Sequence, residues 1–293
     1  MPLFDRAAEF FRGLQAEICD ALAAEDGAGA FGSDAWQRPG GGGGVSRVLV
    51  DGGVFEKAGV NWSRVEGELG EELAGQLPGQ GRSFRATGIS LVLHPRSPMV
   101  PATHASFRFI QKDDRRWFGG GSDLTPYYLF DHDAAHFHAC FEKACDAHAP
   151  IGDYSRFSKW CDDYFYLPHR GERRGVGGIF FDYLEGDEPK LERTFDFVRD
   201  AGRAFLGAYL PIVQRRRDEP WGDAERRWQL MRRGRYVEFN LLHDRGTVFG
   251  LQTGGRIESI LMSLPPLVRW EYMPEVEPGS REAAVLEALK LRK

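Results

Sequence analysis

Residues 86–110, ATGISLVLHPRSPMVPATHASFRFI, read as two short strands joined by a proline-rich loop. A period of two sets Ile89, Leu91 and Leu93 on one face of the first strand and Ser90, Val92 and His94 on the other. In the second strand Ala105, Phe107 and Phe109 face one way, and His104, Ser106 and Arg108 the other. Pro95, Pro98 and Pro101 cannot donate to a ladder, so they belong to the connection and its edges. Paired as neighbours, the strands bring Ser90, His94, His104, Ser106 and Arg108 to one surface. Alternation alone fits equally the solvated side of an antiparallel sheet and the wall of a functional site.

On the N-terminal side, Leu3, Ala7, Phe10, Phe11, Leu14, Ile18 and Leu22 recur at helical spacing and predict an amphipathic opening helix. The glycine run Gly40–Gly44 marks a flexible segment or a close backbone approach. It is no phosphate loop, because no Lys-Ser or Lys-Thr follows and Val45–Val50 is strand-like. Asp51-Gly52-Gly53 turns the chain into a hairpin partner over Val54–Val60, and Glu68–Leu77 is a short helix stopped by Pro78.

On the C-terminal side, WFGGGSDLTPYY (117–128) reads as a glycine-rich passage carrying an acid, Asp123. It is either a plain loop or a tight backbone path beside a cavity. A helix follows from Asp131 or Asp133 to about Cys145, with His138 turned inward and His136 outward, and another runs over Tyr154–Leu167. His169, Arg170, Arg173 and Arg174 then form either a solvated basic loop or an anion-gathering lip. Ile179–Tyr183 is a buried strand, and Leu191–Val213 and Ala224–Arg233 are helices. Arg235–Leu242, Thr247–Gln252 and Arg256–Leu264 predict a three-stranded meander, and Ser280 caps a last helix reaching Leu291. Blocks of strands alternate with blocks of helices, which predicts an α+β fold with a largely antiparallel sheet. Nothing in the composition breaks residues 1–293 into more than one domain, with 1–40 as helix and lead-in.

The net charge of -5 argues against a generic binder of nucleic acid or anionic membrane. The N-terminus has acidic residues among its apolar ones and no continuous apolar run, so neither a signal peptide nor a membrane span is expected there. Cys19, Cys140, Cys145 and Cys161 show no CxxC spacing and suit a reduced, cytoplasmic protein. His94, His104, His138 and His169 lie on elements able to converge, though their spacing matches no compact metal signature. With Arg108, Arg174 and Arg256 as anion sites and Asp123 as a carboxylate for an N-H-rich centre, the collection suits a large ligand edged by carboxylates.

The segments GISLVLHPRSPMVPATHASFRF, WFGGGSDLTPYY, SKWCDDYFYLPHRGERRGVGGIFFDYL and RRGRYVEFNLLHDRGTVFGLQTGGRIESILMSLPPLVRWEY resemble, in order, the oxygen-dependent coproporphyrinogen III oxidase family. Ser97 and Ser106 stand where that family more often has Asn. The resemblance implies a single-domain α+β fold with a large curved antiparallel sheet flanked by helices on both faces. It implies haem biosynthesis, with two propionates of coproporphyrinogen III decarboxylated to the vinyls of protoporphyrinogen IX. O₂ serves as acceptor, without flavin, haem or any other organic cofactor. By motif position, His104, Asp123 and Arg108 are the implied catalytic residues, with His104 as proton donor. Ser90, Ser106, Phe107, Arg108, Gly254, Gly255 and Arg256 are the implied substrate contacts. His94, His104, His138 and His169 are the implied ligands of a divalent metal cation. A homodimer with its interface around 236–267 is implied as well.

Overall fold

In the computed structural model, which describes residues 1–252 and 255–290, helix α1 (Leu3–Asp26) leads into strands β1 (Gly32–Gln37), β2 (Gly42–Val50) and β3 (Phe55–Glu68). A short helix α2 (Glu71–Gln76) precedes β4 (Ser83–Pro95), β5 (Ala102–Lys112) and β6 (Arg115–Thr125). Helices α3 (Asp131–Asp146) and α4 (Tyr154–Tyr164) follow. After them come a two-residue ribbon, β7 (Tyr166–Leu167) with β8 (Glu172–Arg173), and strand β9 (Gly177–Glu185). Helices α5 (Glu188–Arg216), α6 (Asp223–Leu242), α7 (Arg245–Gln252), α8 (Ile257–Leu261) and α9 (Arg281–Leu289) complete the described chain.

The seven-stranded sheet has the order β1-β2-β3-β4-β5-β6-β9 and is antiparallel throughout. Each of the first six strands therefore pairs with its neighbour in the chain. The register of β4 on β5 sets Ser90 opposite Ser106, Gly88 opposite Arg108 and Val92 opposite His104. One face of the sheet carries Ile89, Leu91, Leu93, Ala105, Phe107, Phe109, Phe118 and Phe181, all buried against α1 and α5. Phe109 stacks on Phe118 at 4.3 Å between ring centroids, and Phe118 on Phe195 of α5 at 5.8 Å. Each such ring contributes about 1.5–3 kcal/mol by leaving water. The other face is roofed by α6 and α8, whose Phe239 packs with Phe165 and Phe180 and whose Ser259 meets Ser46 of β2. Two helical layers on one open sheet give the α+β architecture. Among the described residues no helix is long and apolar enough to cross a membrane.

Helix α6 is fastened to the turn after β4. Gln229 Nε2 and Arg233 Nη2 both donate to the Pro95 carbonyl, at 3.0 and 2.9 Å. Arg233, fully buried, also donates Nη1 to Glu56 at 2.7 Å.

Several expectations are corrected. The stretch Arg235–Leu242, read as a strand, is the second half of α6, Thr247–Gln252 falls on α7 and α8 occupies part of Arg256–Leu264, so among the described residues no C-terminal meander forms. Gly234, just past the predicted helix end at Arg233, lies inside the helix, where a Cβ would sit 3.0 Å from the Arg269 carbonyl and 3.2 Å from Trp270 Nε1. Glycine is there to let the 269–270 segment cross. The passage Trp117–Thr125 is strand, not loop: a Cβ at Gly120 would come within 2.7 Å of the Ser106 carbonyl and one at Gly121 within 2.4 Å of the Ile179 carbonyl. Gly42–Gly44 likewise enter β2, against β1, a strand the sequence reading did not assign. Helix α4 ends at Tyr164 rather than Leu167; Leu291, the anticipated end of the last helix, lies outside the described residues.

Candidate active site

Registered partners share a face, so the sheet side opposite the large apolar core can be read row by row. Asp34, Ser46, Asn61, Ser90, Ser106 and Gly121 form one row across six strands. Gly44, Ser63, Gly88, Arg108 and Gly119 form the next. Small side chains leave this floor low, and Ser90, Ser106, His104 and Arg108 are half-exposed on it.

His104 on β5 lies opposite Asp123 on β6, and its Nδ1 is 2.9 Å from Asp123 Oδ1. An ionised carboxylate only accepts, so Nδ1 carries the proton and Nε2 is the free nitrogen. Asp123 is 2 % exposed and also accepts from Arg174 Nη2 at 2.7 and 2.8 Å. Burial pushes its carboxyl up, but Arg174 and His104 outweigh that and hold it below the usual carboxylate value. Arg174 is itself buried, donates Nη1 to Asn240 at 3.0 Å and lies 3.9 Å over the Phe165 ring. The three form a fixed Arg-Asp-His line whose last member is partly exposed on the sheet face.

Arg108 donates Nη2 to Asp182 of β9 at 2.5 Å. Arg256 pairs with Asp34 of β1 and has Ser259 Oγ at 3.5 Å. The carboxylate partner of Arg256 is thus four strands from β5, roughly 19 Å at the usual strand spacing of ~4.8 Å. The Gly255 N-H donates to the Gly250 carbonyl at 2.8 Å, and Gly254 lies outside the described residues. Phe107 is corrected as a side-chain contact: strand alternation sends it into the opposite core, buried against Phe181.

The four histidines do not meet. His94 is buried, with Nε2 at 2.8 Å from the Ser263 carbonyl and its ring edge-on to Tyr236. Burial, then Arg233, holds its pKa well below the ordinary imidazole value, so it is neutral. His138 uses Nδ1 on Tyr154 Oη at 2.7 Å and Nε2 on the Val176 carbonyl at 3.0 Å. His169 lies 2.8 Å from Glu238 and 3.2 Å from His243. Among the described residues no group of three or more His, Cys, Asp or Glu side chains is placed to hold a metal ion. The implied four-histidine set therefore does not fit a common metal centre in this arrangement.

The basic lip is also largely spent internally. Arg170 pairs with Glu238, Arg173 with Asp162 and Arg174 with Asp123. Glu238 shows the effect most: burial raises its pKa, yet Arg170, His169 and Trp270 bring it down to about 2. A carboxyl depressed in the folded state stabilises above its unfolded pKa, near 4.5, and loses that contribution as pH falls toward 2. The urea midpoint is accordingly expected to be flat above pH 5 and to fall between pH 4.5 and 2, with a shallower fall in Glu238→Gln.

Sequence reasoning missed Asp182, Asn240 and the rings Phe165 and Phe239. The signal for Asp182 was a lone charged residue inside the apolar run GGIFFDYL. A separate depression of about 470 Å³, lined by Glu66–Glu68, Ser83–Arg85, Gln111 and Asp113, contains none of the residues described above.

A family model described as coproporphyrinogen III oxidase matches residues 6–293. With nearly the whole chain matched, and with an ordered histidine and arginines brought to one sheet face, the chain belongs to the coproporphyrinogen III oxidase family, enzymes of porphyrin and haem biosynthesis.

Proposed function

We propose that this enzyme is the oxygen-dependent form, converting coproporphyrinogen III to protoporphyrinogen IX by oxidative decarboxylation of two propionates with O₂ as acceptor and no organic cofactor. The observation that carries this reading is His104, anchored by buried Asp123 and Arg174 with its other nitrogen directed away from them. Per propionate, the side chain loses CO₂ and a hydride equivalent from its β-carbon. O₂ takes the two electrons and, with one further proton, leaves as hydrogen peroxide. His104, once its free Nε2 has taken up a proton from solvent, delivers that proton to the reduced oxygen while its Nδ1-H stays on Asp123. Arg108 near the β9 edge and Arg256 near β1 hold propionates on opposite sides of the macrocycle over the low floor of Ser90 and Ser106. Asp123 acts by orienting His104, since Arg174 and His104 already occupy its oxygens.

The deciding experiment supplies purified protein with coproporphyrinogen III in air and under nitrogen, with and without a chelator. Protoporphyrinogen IX is expected in air only, with one O₂ consumed per CO₂, and the chelator leaves the rate within about twofold. Product under nitrogen would remove the oxygen-dependent reading. Total loss with chelator, restored by a divalent metal, would instead favour a metal-dependent oxygenase.

The enzyme is further read as a cytoplasmic homodimer. Its four cysteines are free thiols, which suits a reducing compartment. Leu242, Ile257 and Leu267 are 62, 58 and 54 % exposed, apolar surface that a second copy around 236–267 would cover. Sedimentation at micromolar concentration is expected to give twice the chain mass, and Leu242→Asp to shift it toward the monomer.

A further inference from the structure

Resting on the reading above, we propose that Asp182 is a positioning residue for substrate binding: it anchors Arg108 against the sheet so that the remaining guanidinium N-H groups meet a substrate propionate. Asp182 is only 8 % exposed, and both its oxygens are engaged. Oδ2 accepts from Arg108 Nη2 at 2.5 Å, and Oδ1 accepts from the Tyr183 backbone N-H at 3.0 Å. The backbone bond fixes the carboxylate, and the carboxylate fixes the arginine. Arg108 nevertheless keeps 32 % of its side chain exposed, whereas Arg174 retains 2 % and is tied at both Nη atoms. Arg108 is therefore the β5 arginine with a held orientation and donors left for a ligand.

Gly119 makes room for the pair. A Cβ there would lie 2.4 Å from Asp182 Oδ1 and 3.0 Å from Arg108 Nε, so any side chain at 119 displaces the contact. An arginine already ordered before binding loses less side-chain freedom on capturing a carboxylate. Against this, Asp182 sets a negative charge near an anionic ligand. The short, buried contact, already neutralised by Arg108, makes orientation the larger effect.

The test compares wild type, Asp182→Asn and Gly119→Ala, the last of which keeps every charge. Turnover of coproporphyrinogen III gives KM and kcat. Tryptophan quenching gives Kd for the aromatic tetra-acid coproporphyrin III and for its tetramethyl ester, which has no carboxylate. Both variants are expected to raise KM and the tetra-acid Kd by about tenfold or more. The ester Kd and kcat stay within about threefold of wild type. Equal weakening of acid and ester would mean a merely structural role and overturn the proposal. Unchanged or tighter acid binding in Asp182→Asn would overturn it too, because repulsion would then outweigh orientation. Wild type that makes product while the variants show no such split defeats the positioning role alone; wild type that makes no product defeats the functional reading on which it rests.

Discussion

Asp123→Asn is expected to lower turnover by about 10²–10⁴-fold and at the same time to destabilise the protein by about 3–5 kcal/mol. Both effects come from one carboxylate. Its loss frees His104 to rotate and to take the other tautomer, and it leaves the Arg174 guanidinium buried among Phe165, Tyr236 and Phe239 without its counter-charge. Stacking on those rings returns only part of the cost. Kinetics at 25 °C with a parallel urea titration would check this. Near-normal turnover would take the Arg-Asp-His line out of the reaction, and normal stability would mean that Arg174 finds water or another partner. In Asp123→Asn/Arg174→Met the buried charge goes with its partner, so most of the stability should return while turnover stays low.

His104→Asn separates the two effects from the other side. The residue is half-exposed, its one side-chain hydrogen bond is to Asp123, and its ring meets Phe165 edge-on at 5.9 Å between centroids. Removing it leaves no buried cation alone, so the expected stability loss is about 1 kcal/mol or less. kcat is expected to fall about 10²–10⁴-fold, with KM within about threefold, because the proton is needed in the reaction and not for docking. A large rise in KM at constant kcat would instead make His104 a binding residue.

How much of this was legible depended on the range of the interaction. Strands β4 and β5 could be read because one face is packed in the core, and burial enforces a period of two from Ile89 to Leu93 and from Ala105 to Phe109. The second half of α6 was not, because Tyr236, Val237 and Phe239 are favourable strand residues and Gly234 resembles a stop. What fixes a helix there is tertiary: the anchoring of Gln229 and Arg233 to Pro95, and the crossing of Arg269 over Gly234. Alternation placed Ser90, His94, His104, Ser106 and Arg108 on one surface; Ser90, His104, Ser106 and Arg108 are half-exposed on it, whereas His94 is buried against Ser263 and Tyr236. Their partners were hidden by distance along the chain: Asp123 lies 51 residues from Arg174, and Asp182 lies 74 from Arg108. Charge counting therefore offered Arg174 as a free anion site, although a buried carboxylate already holds it.

The fastening of α6 restricts how a macrocycle can reach its floor. Lifting the helix away would strip Glu56 and Arg233 of each other inside a dry interior, a cost of several kcal/mol that no thermal breath repays often. The roof beam is in effect bolted down, and on the proposed function a disc-shaped guest would enter over the half-exposed margin at Gly88, Ser90 and Arg108. Bulk added on that margin is expected to hinder admission.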